Sequence, residues 1–312
     1  MQLVTRGVLF SHIPKTAGTS LRVSTRKSSW SWKVYSDYDV DSRSTSPLVK
    51  AIYASGDIGR IVEINNRKTL LAGHFPINKY IRYYPVYRVI SFLRDPVQRV
   101  LSHYYDLKRR IDYPGTLEDF INEPRFRDVQ SRFYEGVPLE AIGVVGISEF
   151  YGESLAIFNQ LYGLKIPVRE LNANKDKKNS FYLISGKLTE QIRSLNLADC
   201  SMYEKALRLF LIRKQLLEQG LNYVYGKYSI VENATLTGWA VDPLQEAPVT
   251  LDVVLNGSLI SQLIAENPLP ELQEINIARD GNVGFNYTFP RPLADTDRIE
   301  LRVSATGQSI TP

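Results

Sequence analysis

The strongest constraint on the fold is an order of strand, polar loop and helix that occurs twice in the first part of the chain. The apolar run GVLF (7–10) leads into the polar loop SHIPKTAGTS (11–20), after which a helix is predicted to open. The run VYRVISFL (86–93) ends at Arg94-Asp95-Pro96, and a helix is predicted over 97–110. Segments in this order form parallel strands joined by helical crossovers. We therefore predict an α/β domain with a parallel sheet flanked by helices.

The rest of the chain divides into a helical part and a part rich in short strands. From about 116 to 225 the pattern is helical, with apolar residues at helical spacing in Leu117–Ile121, Ser148–Tyr162, Leu188–Leu195 and Met202–Gln219. After Tyr228 the runs are short and β-branched, and Asn256-Gly257 is a strong hairpin signal. The serine-rich stretch 28–47 shows no period and is predicted to be irregular. Because 312 residues exceed the roughly 250–300 at which single cores stop growing, we predict two domains, the α/β domain at 1–227 and a small all-β sandwich at 228–312.

Composition limits the partners and the compartment. The 38 Lys and Arg against 33 Asp and Glu give a net charge of +5, which suits an anionic small molecule but lacks the basic runs typical of nucleic-acid binding. One cysteine, Cys200, cannot form an internal disulfide, and it and the three histidines show no metal-ligand spacing. No apolar run approaches the ~18–20 residues that cross a bilayer, and no signal peptide is recognisable. We expect a cytoplasmic protein without a membrane span, a metal or a nucleic-acid partner.

The loop after the first strand has the composition of an anion site. The start of a helix offers unpaired N–H groups and a partial positive charge. Gly18 lets the backbone approach a ligand, Thr16, Thr19 and Ser20 add hydroxyls, and Lys15 adds a mobile charge. The lysine precedes the glycine, unlike in the nucleotide P-loop G-x-x-x-x-G-K-[ST], so it lies beside the end of the strand. A plain polar turn is the alternative interpretation.

A second anion pocket is predicted where the run 86–93 ends. Asp95 can cap the next helix, and Pro96 suits its first position because proline lacks the N–H group that would go unpaired there. Ser102 lies seven residues beyond Asp95, so two helical turns return it to the same face as the cap, near Arg94. An arginine and a hydroxyl that converge in this way can hold a phosphate. Two such pockets at neighbouring strand ends predict a ligand with phosphates at two places.

These residues resemble a known family, the carbohydrate sulfotransferases of the heparan 2-O-sulfotransferase type. HIPKTAGTS (12–20) is similar to their 5′-phosphosulfate loop, and LRDPVQRVLSHY (93–104) is similar to their 3′-phosphate motif. The resemblance covers roughly residues 8–225. It implies a P-loop-like α/β fold, no metal, and the donor 3′-phosphoadenosine 5′-phosphosulfate (PAPS). The donor-binding residues that it implies are Lys15, Thr16, Ala17, Gly18, Thr19, Ser20, Arg94 and Ser102.

Three further segments take part in the resemblance. Gln130 and Arg132 are similar to a family segment that reads roughly N-x-Q-T-R, although Asp128 stands where asparagine is expected. KKNS (177–180) and ADCSMYEKA (198–206) are similar to the C-terminal region of the family. Whether Gln130 and Arg132 contact the donor or the acceptor stays open.

Sulfuryl transfer to a hydroxyl requires a cation at the leaving oxygen and a base at the acceptor. Lys15 is the candidate cation, and the resemblance and the predicted strand end favour His74 as the base over a structural histidine. His12 is predicted to fix the loop, whereas His103 either packs or makes a peripheral phosphate contact. Arg99 either reaches the phosphate of Arg94 or lies on a solvated helix face.

The acceptor is expected to be a hydroxyl compound, most simply a saccharide. The aromatic residues of Trp30–Tyr38 and the basic residues Lys79, Arg82 and Arg88 either contact a sugar at the mouth of the site or serve ordinary packing. The segments GWAVD (238–242) and ARDGNVGF (278–285) resemble β-modules appended to bacterial glycan-modifying enzymes. We therefore predict a PAPS-dependent sulfotransferase of unknown oligomeric state. The alternatives are a P-loop kinase that uses ATP and a non-catalytic glycan-binding protein.

Overall fold

The computed structural model describes residues 7–16, 21, 32–167 and 181–312. The chain forms two compact units. One lies within residues 5–84 and 88–210, and the other includes 85–87 and 211–312.

The described residues of the first unit form a parallel sheet of five strands. They are β1 (Val8–Ser11), β2 (Lys33–Asp37), β3 (Thr69–Gly73), β4 (Val89–Leu93) and β5 (Val144–Ile147). Their order across the sheet is β2-β3-β1-β4-β5, and every neighbouring pair is parallel. All residues of β1, β3, β4 and β5 are buried, as expected of parallel strands with both faces covered. The predicted α/β fold class is confirmed.

Helices and short 3-10 turns lie between and after these strands, and the last helix continues into residues of the second unit. The helices are α1 (Pro47–Ser55), α2 (Pro96–Ile111), α3 (Leu117–Asn122), α4 (Val129–Arg132), α5 (Tyr151–Tyr162), α6 (Gly186–Ser194) and α7 (Leu197–Glu218). Helix α2 begins as predicted, because Pro96 is its first residue and Gln98 N donates to Asp95 Oδ1 at 3.0 Å. Among the described residues, no helix is long and apolar enough to cross a membrane.

Two sequence predictions about this unit are wrong. Strand β2 lies within the stretch 28–47, which was predicted to be irregular, and strand β5 lies within 116–225, which was predicted to be helical. Both strands are at the edges of the sheet and have five and four residues. Runs this short show no period that separates a strand from a loop or a helix.

The strand order brings three carboxyl ends together. Ser11, the last residue of β1, is in register with Gly73 of β3 and with Ser91 of β4. The chain passes from β1 to the β2–β3 side and then crosses to β4 on the other side. Ligands of open α/β sheets bind at such a switch point, outside the carboxyl ends of the strands.

The second unit contains an antiparallel β-sandwich. Its strands are β6 (Tyr225–Val231), β7 (Thr235–Val241), β8 (Val249–Leu255), β9 (Ser258–Ala265), β10 (Asn267–Pro268), β11 (Asn282–Thr288), β12 (Ile299–Val303) and β13 (Ser309–Ile310), with helix α8 (Pro270–Gln273) after β10. They form the sheets β10-β11-β7-β6 and β13-β12-β8-β9, which share an apolar core that includes Leu236, Leu251 and Phe285.

The predicted hairpin of the sandwich is confirmed. Asn256 and Gly257, with φ of 52° and 84°, join β8 to β9 in the left-handed conformation that such turns require. The predicted domain boundary at 227/228 stays a prediction, and β6 begins slightly before it.

Candidate active site

The loop after β1 is held by a hydrogen bond to β3 and by one of its own hydroxyl groups. His12 N donates to Gly73 O at 2.8 Å, so the loop leaves the sheet beside the end of β3. Thr16 is buried, and its hydroxyl donates to the Ile13 carbonyl at 2.9 Å. Between them, Lys15 has a φ of 72°, in the left-handed region. The predicted donor-binding residues Ala17, Gly18, Thr19 and Ser20 lie outside the described residues.

Lys15 points its ammonium at a carboxylate of helix α2. Nζ lies 3.2 Å from Asp106 Oδ1, which also pairs with Arg109. Burial lowers the pKa of Lys15, and Asp106 offsets part of this effect. The ammonium is therefore partly desolvated. Its counter-ion, Asp106, also pairs with Arg109 and Arg110.

Arg94, directly after β4, lies beside Lys15. Its Nη1 donates to the Lys15 carbonyl at 3.2 Å. Its Nε is 4.0 Å from Glu149 Oε1, and its side chain is mostly buried. Burial lowers the Arg94 pKa against the opposing charge of Glu149, and burial also raises the pKa of Glu149. The predicted cations of the two anion pockets thus share one edge of the sheet.

The segment around Gln130 fixes the position of Arg94. Gln130 is fully buried, and its side-chain amide accepts from Arg94 N and donates to Arg94 O, both at 2.9 Å. Asp199 in turn accepts from the backbone N–H groups of Gln130 and Ser131. Asp128, at the position where asparagine was expected, accepts a hydrogen bond from Asp199 N through its Oδ1 at 3.0 Å. Sequence reasoning found Gln130 through the resemblance, but not its contact with Arg94.

Arg99 is fully buried, so the predicted alternative of a solvated helix face is wrong. Its Nη2 donates to Phe126 O at 2.8 Å, and its Nε is 4.0 Å from Asp199 Oδ2. Burial lowers its pKa to about 10, with Asp199 opposing the shift. The segments that cover this face of α2 are distant in the chain, so helical spacing could not reveal them. Ser102 is half-buried on the same helix, and its predicted role as a donor ligand stays a prediction.

His103 belongs to an aromatic cluster. Its ring packs edge-on against Phe120 and Phe126, with centroids 5.5 and 5.2 Å away. Burial, and after it the charges of Arg99 and Lys15, lower its pKa to about 4. A histidine that is neutral at physiological pH lends no charge to a phosphate, which favours the packing alternative.

His74, directly after β3, lies in a group of rings. Its N donates to Asp37 O at 3.0 Å, and its exposed ring lies 4.4 Å from the His12 ring and 4.8 Å from the Tyr38 ring, centroid to centroid. His12 is buried, stacks on Phe10, and shares a hydrogen bond of 3.2 Å between its Nδ1 and Tyr38 Oη. His12 therefore packs between Phe10, Tyr38 and His74, and its predicted role in fixing the loop and that of His74 as base stay predictions.

Beside His74, a buried carboxylate collects several donors that sequence reasoning missed. Asp37, the last residue of β2, is 1% exposed and accepts from Tyr53 Oη at 2.8 Å, Tyr80 Oη at 2.8 Å and Lys79 Nζ at 2.7 Å. Next to this cluster is a cavity of about 630 Å³, here called the His74 cavity, lined by Tyr38, Asp39, Val40, Tyr53, His74 and Lys79. An acidic residue that closes a strand was the available signal, but β2 was not recognised as a strand.

The basic residues considered for the mouth of the site lie in different parts of the fold. Lys79 lines the His74 cavity. Arg88 precedes β4, and its Nε donates to Gly7 O, just before β1, at 3.3 Å. Gly7 lies at the amino end of its strand, so Arg88 lies at the opposite end of the strands from Lys15, which favours the packing alternative for Arg88.

Comparisons with known proteins add a structural likeness. Neither a protein-family model nor a curated protein matches the sequence. Among solved structures, the chain is similar to a sulfotransferase from Alicyclobacillus acidocaldarius, with a TM-score of 0.39, 15% sequence identity and coverage of 65% of this chain and 96% of the other. At this identity and TM-score the likeness assigns neither a family nor an activity to the chain.

Proposed function

We propose that this chain is a sulfotransferase that transfers the sulfuryl group of PAPS to a hydroxyl of a saccharide. The observation that carries the proposal is the 3.2 Å hydrogen bond from Arg94 Nη1 to Lys15 O. It joins the loops after β1 and β4, the two segments that resemble the 5′-phosphosulfate loop and the 3′-phosphate motif. A donor with anionic groups at two places needs cations at two adjacent strand ends.

The side chains at this edge fit such a donor. Lys15 and Arg94 supply an ammonium and a guanidinium that are both partly desolvated, which strengthens their interaction with an anion. Asp106 and Glu149 oppose an anion, but each lies beside one of these cations and holds it in place. Lys15 would leave Asp106 to meet the donor, with Thr16 stabilising the turn of the loop.

When bound, PAPS would supply a sulfuryl group attached to an oxygen that gains negative charge as the sulfur–oxygen bond breaks. Lys15 would stabilise that charge, and Arg94 would hold the 3′-phosphate, together with Ser102. His74 would accept the proton of the acceptor hydroxyl on an imidazole nitrogen, with its backbone held by Asp37. Gln130 would keep Arg94 in position through the two hydrogen bonds to the Arg94 backbone.

The other functions considered receive less support from these contacts. A kinase would use an acid at a strand end to hold Mg²⁺. Asp95 caps helix α2 with one oxygen and pairs with Arg193 at 3.1 Å through the other. A glycan-binding protein without catalysis would not require Lys15 and Arg94 to share an edge of the sheet with His74.

Calorimetric titration with adenosine 3′,5′-bisphosphate tests the proposal, with and without Mg²⁺ and in parallel with ATP. We expect the bisphosphate to bind without metal and more tightly than ATP, and radiolabelled PAPS to label a saccharide acceptor. Preference for Mg·ATP would support a kinase. Absence of nucleotide binding together with saccharide binding would support the glycan-binding alternative.

A further inference from the structure

The His74 cavity is assembled from segments that follow neighbouring strands. Tyr38, Asp39 and Val40 come directly after β2, His74 comes directly after β3, and Tyr53 and Lys79 complete the lining. The volume of about 630 Å³ is in the range of small-molecule sites, roughly 300–1,000 Å³. Because His74 is part of the lining, a hydroxyl compound that fills this cavity contacts that side chain.

Lys79 is the cation among the described residues that line the cavity, but its charge is already matched. Its Nζ lies 2.7 Å from Asp37 Oδ2 and above the Tyr53 ring, 4.7 Å from the centroid. Burial opposes the charge of Lys79, but the hydrogen bonds to Asp37 and Tyr53 outweigh burial and raise its pKa. An anion that drew Lys79 away would leave the buried Asp37 carboxylate with hydroxyl donors in place of a cation, which is costly.

The remaining charge of the described lining is negative. Asp39 is exposed, and its Oδ1 accepts from Val40 N at 2.6 Å, so it places a carboxylate at the rim of the cavity. Tyr38 and Tyr53 contribute aromatic surface and hydroxyl groups. This combination suits a ring that has both apolar faces and many hydroxyls, and it disfavours a carboxylate or sulfate on that ring.

We propose that the His74 cavity is the acceptor site and that it selects a neutral saccharide over an anionic one such as a uronate. The assignment of the cavity as an acceptor site rests on the proposed function. The selectivity for a neutral saccharide rests on the Asp37–Lys79 pair and on Asp39. Asp39 is the specificity-determining residue, because it presents a carboxylate at the rim of the cavity.

The test compares the binding of two glycosides by NMR titration of the whole protein. The probes are methyl β-D-glucopyranoside and methyl β-D-glucuronopyranoside, which differ in one carboxylate. We expect the neutral glycoside to bind about threefold more tightly at low ionic strength, since Asp39 is exposed, and salt to reduce the difference. Asp39→Asn should bring the two dissociation constants together, and asparagine tolerates the φ of 86° at this position. Asp41→Asn is the matched control, because it removes an equal charge from an exposed residue outside the lining.

Equal or tighter binding of the uronate, binding of neither glycoside, or an equal effect of Asp41→Asn would overturn the inference. Sulfuryl transfer is measured separately with PAPS and both glycosides. Neutral selectivity in binding without any transfer would refute the sulfotransferase proposal and leave the cavity a saccharide site. Transfer that prefers the uronate would refute the selectivity and leave the sulfotransferase proposal standing.

Discussion

Replacing Asp106 by asparagine should move the alkaline limit of activity to lower pH. Lys15 Nζ lies 3.2 Å from Asp106 Oδ1, and burial lowers the Lys15 pKa while Asp106 opposes that effect. The proposed reaction uses the charged ammonium, so activity is lost as the pH rises through the Lys15 pKa. Without the carboxylate, the Lys15 pKa falls further and the loss begins at lower pH.

The size of this shift follows from the distance. Two unit charges 3.2 Å apart interact by about 1.3 kcal/mol in water-like surroundings and about 5 kcal/mol at an effective dielectric constant of about 20. The Lys15 side chain is 25% exposed, and Arg109 and Arg110 share the same carboxylate, so the low end applies. At about 1.4 kcal/mol per pKa unit, the Lys15 pKa should fall by about one unit.

The assay is kcat/KM for PAPS as a function of pH in the wild type, Asp106→Asn and Asp112→Asn. Asp112 is the control, because it is exposed at the C-terminal cap of α2 and its φ of 49° suits asparagine. At neutral pH, Asp106→Asn should bind adenosine 3′,5′-bisphosphate at least as tightly as the wild type, since Lys15 is freed of a competitor. Coincident alkaline limbs, or equal shifts in both variants, would refute the role assigned to the Lys15–Asp106 pair.

Four further substitutions test the proposed roles. Lys15→Ala should lower turnover by about 100-fold or more but weaken bisphosphate binding much less, and equal losses in a comparison of kcat with Kd would contradict a role at the leaving oxygen. Arg94→Ala should cost about 2–4 kcal/mol in calorimetric bisphosphate affinity, so an unchanged Kd would remove it from the site. His74→Ala should lower kcat by about 100-fold or more with the bisphosphate Kd retained, and full activity would assign the base elsewhere. Gln130→Leu should lower the melting temperature and weaken bisphosphate binding, because buried N–H and C=O groups of Arg94 lose their partners at about 1–3 kcal/mol each, whereas an unchanged Kd would show that Arg94 is positioned without Gln130.

Local chemistry predicted the parts of the fold and of the site that depend on neighbours in sequence. The cap at Asp95, the helix that starts at Pro96 and the turn at Asn256-Gly257 each follow from the conformational needs of a few consecutive residues. The positions of Lys15 and Arg94 at one edge also follow, since parallel strands bring their carboxyl ends together.

The partners of these residues depend on the tertiary fold and were not predictable from spacing. Gln130 meets Arg94, and Asp199 meets Arg99, across long separations in sequence. Strand β2 was missed because it is short and only partly buried, and with it the sequence analysis missed the role of Asp37. Asp37 ends β2, so recognising this strand would have placed its carboxylate at the carboxyl ends of the sheet.

Asp106 and Asp37 each pair with a lysine, but they differ in the partners that they keep when the lysine moves to a ligand. Asp106 lies near the surface and retains Arg109 and Arg110, so an anionic donor can draw Lys15 away at small cost. Asp37 is 1% exposed and would retain tyrosine hydroxyls, so drawing Lys79 away would leave a buried charge without a cation among the described residues. Lys15, in the loop after β1, can therefore bind an anion. Lys79, beside His74, is required as the counter-ion of Asp37. This difference is the physical reason to expect a charged donor at the first lysine and a neutral acceptor at the second.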